Sequence, residues 1–189
     1  DLGRPVLSAA ALEMGVLLIL LAGTGLADRL AGFFSTRVVR GVQLGVGLIL
    51  IKGGIVLWSK SPVGIVHPAP WAWATPGEAW AAFTLLVLPQ LPVTVSNAAI
   101  GASDAARRYY RWLARGATPA RLCLSMGVWN LVMGLFGALP VCHGSSGWTA
   151  HRRLGSRGWR STAGLGVVLA ALGLAFGSRA ASVLGSLPY

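Results

Sequence analysis

Two short stretches hold the residues whose types and spacing could do chemistry. Residues 140–155 read PVCHGSSGWTAHRRLG, with a Cys142-His143 pair, a cluster of Gly144, Ser145, Ser146 and Gly147, and then arginines. Residues 88–101 read LPQLPVTVSNAAIG, with Pro89 and Pro92 set among apolar residues beside Gln90, Thr94, Ser96 and Asn97. Neither stretch contains a carboxylate. Ser145 and Ser146 therefore lack the acid–base partners that activate a nucleophile. Cys142 and His143 lack further ligands at metal-binding spacing. No enzymatic activity, no metal and no cofactor are expected. What remains is a set of neutral donors, hydroxyls and side-chain amides, able to hold an oxyanion and let it go. His143 stays open between lining such a site and hydrogen bonding within its own segment. Gln90, Thr94 and Asn97 stay open between lining it and bonding across packed helices.

The elements that must position these residues are apolar. Mean hydropathy is +0.66, 54% of the 189 residues are hydrophobic and 11% are charged, against roughly a quarter charged in soluble domains. Windows at 6–27, 41–58, 79–103, 122–142 and 161–178, with a final apolar stretch of ten residues, each approach the ~20 residues a membrane helix needs. Five or six embedded segments are expected in an all-α, multi-pass integral membrane protein, in the cell (plasma) membrane. Glu13 and Lys52 are the charges nearest membrane depth, open between a coupling role and a place at a helix end. Cys123 and Cys142 read as packing residues, since two cysteines make no disulfide framework.

The net charge of +11 is carried largely by three arginine blocks. These are Arg29, Arg37 and Arg40; Arg107, Arg108, Arg111, Arg115 and Arg121; and Arg152, Arg153, Arg157 and Arg160. The blocks alternate with charge-free spans, so they read as cytoplasmic topology signals with some lipid headgroup contact rather than as a nucleic-acid surface. A Pro- and Trp-rich stretch at 59–78 reads as an extracytoplasmic linker, dividing the end of a first transmembrane repeat at 1–58 from the first part of a second repeat at 79–189.

The three blocks share one side only if the span at 122–142 fails to cross. An outward helix ending near Gly137 resolves the conflict. A return through ALPVCH covers roughly 16 Å at ~3.3 Å per residue. A half-helix from Gly144 to about Arg153 then adds about 15 Å at ~1.5 Å per residue. Together these match the ~30 Å hydrocarbon core. The half-helix would begin at mid-depth with its first N–H groups unpaired and its dipole positive there, which is the makeup of an anion site. Pro89 and Pro92 are expected to break the other span, with a second helix end starting near Pro92 and facing the first.

At these motifs the sequence resembles the molybdate transporter family related to the SulP sulfate permeases. PQLPVTVSNAAIG is similar to that family's Pro-Gln-Leu-Pro motif followed by Thr and Asn. PVCHGSSGWTAHRRLGSR is similar to its Pro-x-Cys-His-Gly motif, and residues 25–54 resemble the segment closing its first half. The departures are Ser145 and Ser146 in a cluster that usually reads Gly-Ala-Gly-Gly, and His151 in place of a glutamine. The resemblance implies an inverted-repeat fold of the SulP and uracil-permease type with broken half-helices. It also implies secondary transport of a tetrahedral oxyanion, molybdate first and sulfate second. The site would use Gln90, Thr94, Ser96, Asn97, His143, Gly144, Ser145, Ser146 and Gly147. The expected partners are that anion and membrane lipid, with proton coupling and a homodimer left open, and no nucleic acid. The resemblance implies a partial chain too, lacking the start of the first half and the last helices. The alternative is a truncated, non-transporting membrane module or scaffold.

Overall fold

A computed structural model describes residues 4–33, 38, 41, 45, 73–138, 140–156 and 158–171. All of the expected span at 41–58 but residues 41 and 45, most of the linker at 59–78, Lys52 and the final apolar stretch lie outside the described residues. Among the described residues every regular element is helical. The chain divides into two compact units, Asp1–Leu44 with Pro70–Ala150, and Gly45–Ala69 with His151–Tyr189.

In the first unit, helix α1 (Arg4–Gly23) ends at a Thr24-Gly25 turn, and α2 (Leu26–Phe33) follows. The expected single window at 6–27 is therefore two helices, because the Thr24 hydroxyl donates to the Leu20 carbonyl at 2.8 Å and helps close α1. Helix α3 runs continuously over Pro76–Tyr110. Its start is a reciprocal cap. Glu78 N–H donates to Thr75 Oγ1 at 3.3 Å, and Thr75 N–H donates to Glu78 Oε2 at 2.8 Å. Pro76 occupies the first turn, where its missing N–H costs nothing.

The expected break at Pro92 is corrected: α3 passes through both prolines without interruption. It does so by widening. Phe83–Val87 and Thr94–Gly101 are π-helical, and Leu88 N–H reaches back five residues to the Phe83 carbonyl. A proline in a helix removes one donor and crowds the carbonyl four residues back. A π-turn spaces that carbonyl differently, so the cost is absorbed by local geometry instead of by ending the helix.

Helix α4 (Pro119–Leu135) lies against α1. Two glycines set their separation. A Cβ on Gly15 would come within 2.9 Å of the Gly127 carbonyl oxygen, and one on Gly127 within 2.9 Å of the Gly15 oxygen. The two backbones touch there, the usual means of tight association when lipid offers no hydrophobic drive between helices. Ser8 Oγ adds a hydrogen bond to the Gly134 carbonyl. Around this contact lies a core of Ala10, Met14, Leu18, Val87, Ala98, Ala99, Cys123 and Met126. Asp28 of α2 accepts the Ala120 N–H at 3.1 Å, and Thr118 caps the same helix start from Arg121 N–H at 3.2 Å.

Helix α4 stops in a Schellman turn. Gly137 has φ +69, its N–H donates to Gly134 O at 3.0 Å, and Ala138 N–H donates to Met133 O at 2.9 Å. Glycine takes that left-handed conformation without steric cost. Residues 140–144 carry no regular structure, and helix α5 (Ser145–Arg153) begins at Ser145. In the second unit, residues 159–171 are helical with every described side chain exposed. Among the described residues, two helices are long and apolar enough to cross a membrane, Pro5–Gly23 and Pro76–Tyr110.

Candidate functional site

The site begins with the way the chain returns along α4. Three side chains of α4 hold the returning segment. Asn130, fully buried, accepts the Val141 N–H at 2.7 Å and donates to the Val141 carbonyl at 2.9 Å. The His143 N–H meets Met126 Sδ at 3.3 Å, and His143 Nε2 lies 2.7 Å from Ser125 Oγ. Moving from Val141 to His143 steps back along α4 from residue 130 to 125–126. The segment therefore runs antiparallel to α4 and reaches the middle of a 17-residue helix. Backbone groups freed by the break must find partners, because water is scarce inside an apolar span. Asn130 supplies both for Val141.

Neither Asn130 nor Ser125 was singled out from the sequence. Their signal was present: polar residues five apart inside a charge-free span that also carries a proline break nearby. Cys142, expected to pack, is exposed, whereas Cys123 is buried as expected. A segment held by its neighbours' backbone and imidazole groups leaves the intervening side chain pointing away.

At the end of the return, α5 starts beside α3. Ser145 Oγ is buried and donates to Asn97 Oδ1 at 2.6 Å. This bond joins the two sequence motifs, 48 residues apart. It also orients the Asn97 amide: with Oδ1 engaged, Nδ2 is the face of Asn97 left to donate. The π-turn contains Asn97 and places it on the α5 side of α3. Thr94 and Ser96 are buried in the same π segment, and Ser96 Oγ donates to the Val93 carbonyl at 3.3 Å. Gly144 is half-buried, while Ser146 and Gly147 are exposed, and a Cβ on Gly147 would meet nothing within 4 Å. Gln90 is exposed and no hydrogen bond joins it to the other predicted residues.

The structure thus brings Asn97 to Ser145, sets Gly144, Ser146 and Gly147 around the helix start, and anchors His143 one step before it. Thr94 and Ser96 lie on the neighbouring turn of α3. The assembly is uncharged and rich in donors. No groups of His, Cys, Asp or Glu among the described residues could hold a metal ion. Elsewhere in the unit, Oε2 of Glu13 is buried with no hydrogen-bond partner among the described residues.

Comparison with known proteins bears on this geometry. The family described as "Molybdate transporter of MFS superfamily" matches residues 82–189, which takes in α3 from residue 82 onward, α4, α5 and both motifs. The chain belongs to this molybdate transporter family. It is 31% identical over 106 residues to Molybdate transporter 2 of Arabidopsis thaliana, covering 56% of this chain and 22% of that protein. It is 33% identical over 110 residues to Molybdate transporter 1 of Chlamydomonas reinhardtii, covering 53% of this chain and 20% of that one. Molybdate transporter 1 of Arabidopsis thaliana is 31% identical over 101 residues. The matched region spans about a fifth of the length of these relatives. No solved structure matches the chain. Family membership and the two long apolar helices together make this an integral membrane protein.

Proposed function

We propose that this chain forms the anion-binding part of a secondary transporter for a tetrahedral oxyanion, molybdate first and sulfate second. The anion would sit at the start of α5, near the bilayer midplane. Ser146 and Gly147 stand in the first turn of α5, whose amides lack intrahelical acceptors, and the helix dipole is positive there. Asn97 Nδ2 would donate from α3, with the Ser146 hydroxyl and His143 at the rim and Gln90, Thr94 and Ser96 lining the adjoining face. Uncharged donors favour exchange: they hold a dianion without the permanent counter-charge that would trap it.

One observation carries this reading, the Ser145–Asn97 hydrogen bond at 2.6 Å, which fastens a restarted helix to a π-widened one. Discontinuous helices with ends at mid-depth are a recurrent way for transporters to bind ions. We read the architecture as an inverted repeat of the SulP and uracil-permease type, with 1–58 closing one repeat, 59–78 linking and 79–189 opening the next. The family's description names the MFS superfamily, and inverted repeats occur there as well. The broken α4–α5 element favours the SulP-type arrangement. Proton coupling and a homodimer in the plasma membrane complete the proposal.

The test is uptake of labelled molybdate by cells expressing the gene, comparing wild type with Asn97→Asp and Gly147→Leu. Asn97→Asp keeps an acceptor for Ser145 but sets a negative charge against a dianion, so uptake should fall at least tenfold with expression unchanged. Gly147→Leu fills open space without meeting a neighbour, so folding should persist while uptake is lost. Wild-type uptake in both variants would remove the start of α5 as the binding site.

A further inference from the structure

At the far end of α3 the chain builds a second concentration of donors, of opposite character to the first. Arg107, Arg111, Trp112 and Arg115 line an open groove of about 740 Å³. The arginines recur every fourth residue, Arg107 on α3 and Arg111 and Arg115 just beyond its end at Tyr110. Beyond Tyr110 the path changes. Arg111 takes φ +50 and ψ −119, and Arg111–Ala114 forms a tighter helical turn. A positive φ at a non-glycine residue is a strained choice. Here it turns the chain so that Arg115 closes the groove opened by Arg107.

The neighbouring Arg108 behaves differently. It is paired with Asp104 at 3.3 Å. Among the described residues, none of the three groove arginines meets a carboxylate. Three guanidinium groups held together without a counter-charge repel one another, and an anion between them relieves that repulsion. Trp112, 70% exposed at the groove wall, adds an amphipathic ring of the kind that settles at the headgroup level of a bilayer. The groove stands at the end of a membrane-length helix, on the arginine-rich side that the positive-inside rule assigns to the cytoplasm.

We propose that this groove is a binding site for the phosphate of an anionic phospholipid headgroup. The guanidinium forks take the phosphate oxygens, and Trp112 lies against the glycerol and upper acyl region. A free tetrahedral oxyanion would leave most of the groove empty and give Trp112 no partner, which favours the lipid source. The site is separate from the start of α5, and it stands whether or not that region binds molybdate.

Native mass spectrometry of the detergent-purified protein tests this, after incubation with phosphatidylglycerol or phosphatidylcholine and with or without millimolar orthophosphate. Wild type should retain phosphatidylglycerol over phosphatidylcholine. The triple variant R107Q/R111Q/R115Q should lose that preference, at about fivefold per arginine. R108Q, whose partner is Asp104, should behave as wild type. All three groove arginines are exposed, so the fold should survive. If the triple variant fails to fold, R115Q alone should give a single fivefold drop. Equal lipid retention by wild type and the arginine variants would overturn the site. Displacement of phosphatidylglycerol by orthophosphate would overturn the lipid source and assign the groove to a soluble anion.

Discussion

Pro92 in α3 and Pro140 between α4 and α5 lie in similarly apolar stretches, yet the backbone deals with them by opposite means. Through Pro89 and Pro92 the helix continues, widened into π-turns on either side. Around Pro140 the helix has already stopped at Gly137 and does not resume until Ser145. The difference is in the replacement partners. In α3 the helix's own donors carry the ladder past the prolines, Leu88 N–H to the Phe83 carbonyl and Thr94 N–H to those of Gln90 and Leu91. In the α4–α5 break, Asn130 and Met126 take over the freed backbone groups, and Ser125 holds the His143 ring. A proline marks where a helix is weak, and the neighbouring side chains decide whether it ends.

That comparison breaks most visibly at Asn130. Replacing it with leucine keeps the volume but leaves the Val141 N–H and C=O without partners, at about 1–3 kcal/mol for each unsatisfied group. Asn130→Leu should therefore lower the unfolding midpoint in detergent substantially. It should also raise hydrogen exchange across 138–144, with α3 unaffected. If exchange there stays unchanged, the break does not depend on its side-chain partners.

A smaller effect should come from Pro92→Ala. Proline costs ~3 kcal/mol in an unrelieved helix interior relative to alanine. The π-turn has already recovered part of that, so a gain of only about 1 kcal/mol is expected in thermal unfolding. A restored donor would favour an ordinary α-helix and rotate Asn97 away from Ser145, so molybdate uptake should fall while stability rises. A gain near the full proline cost with normal uptake would mean that the π-turn serves neither purpose.

The smallest effect separates the break from the fixed part of the fold. Asp28→Asn keeps a hydrogen-bond acceptor for Ala120 N–H but removes a negative charge from the start of α4, where it is worth about 0.3–1 kcal/mol. A shift of the melting midpoint by a degree or two, lessened by salt, is the expected outcome. Salt-independent loss would point to packing rather than charge.

Much of the break was legible in the sequence, for a topological reason. Four arginines at 152–160 conflicted with a full crossing at 122–142, and Gly137 stood where a left-handed helix end would fit. The structure ends α4 at Leu135 and restarts at Ser145, close to those positions. The behaviour of Pro89 and Pro92 was not legible, because a π-turn has no residue signature distinct from that of a broken helix. The roles of Asn130 and Ser125 were not legible, because one polar residue in an apolar run looks the same whether it clasps a returning chain or faces a neighbouring helix. The Thr75–Glu78 cap, which the sequence reading leaves inside the linker, starts α3 three residues before the apolar window at Ala79. Of the predicted site, Asn97 and Ser145 are joined directly, while Gln90 stands apart on an exposed face, since motif adjacency says nothing about which side of a helix a residue occupies.

The bare contact between Gly15 and Gly127 carries a consequence for movement. Side chains at an interface can swap rotamers and let two helices slide, but here main chain abuts main chain, with the side chains of Ile19 and Leu131 packed beside it. α1 and α4 are thereby welded into a stiff plank. Any rocking that opened the protein first to one face of the membrane and then to the other would have to be taken up elsewhere than between α1 and α4.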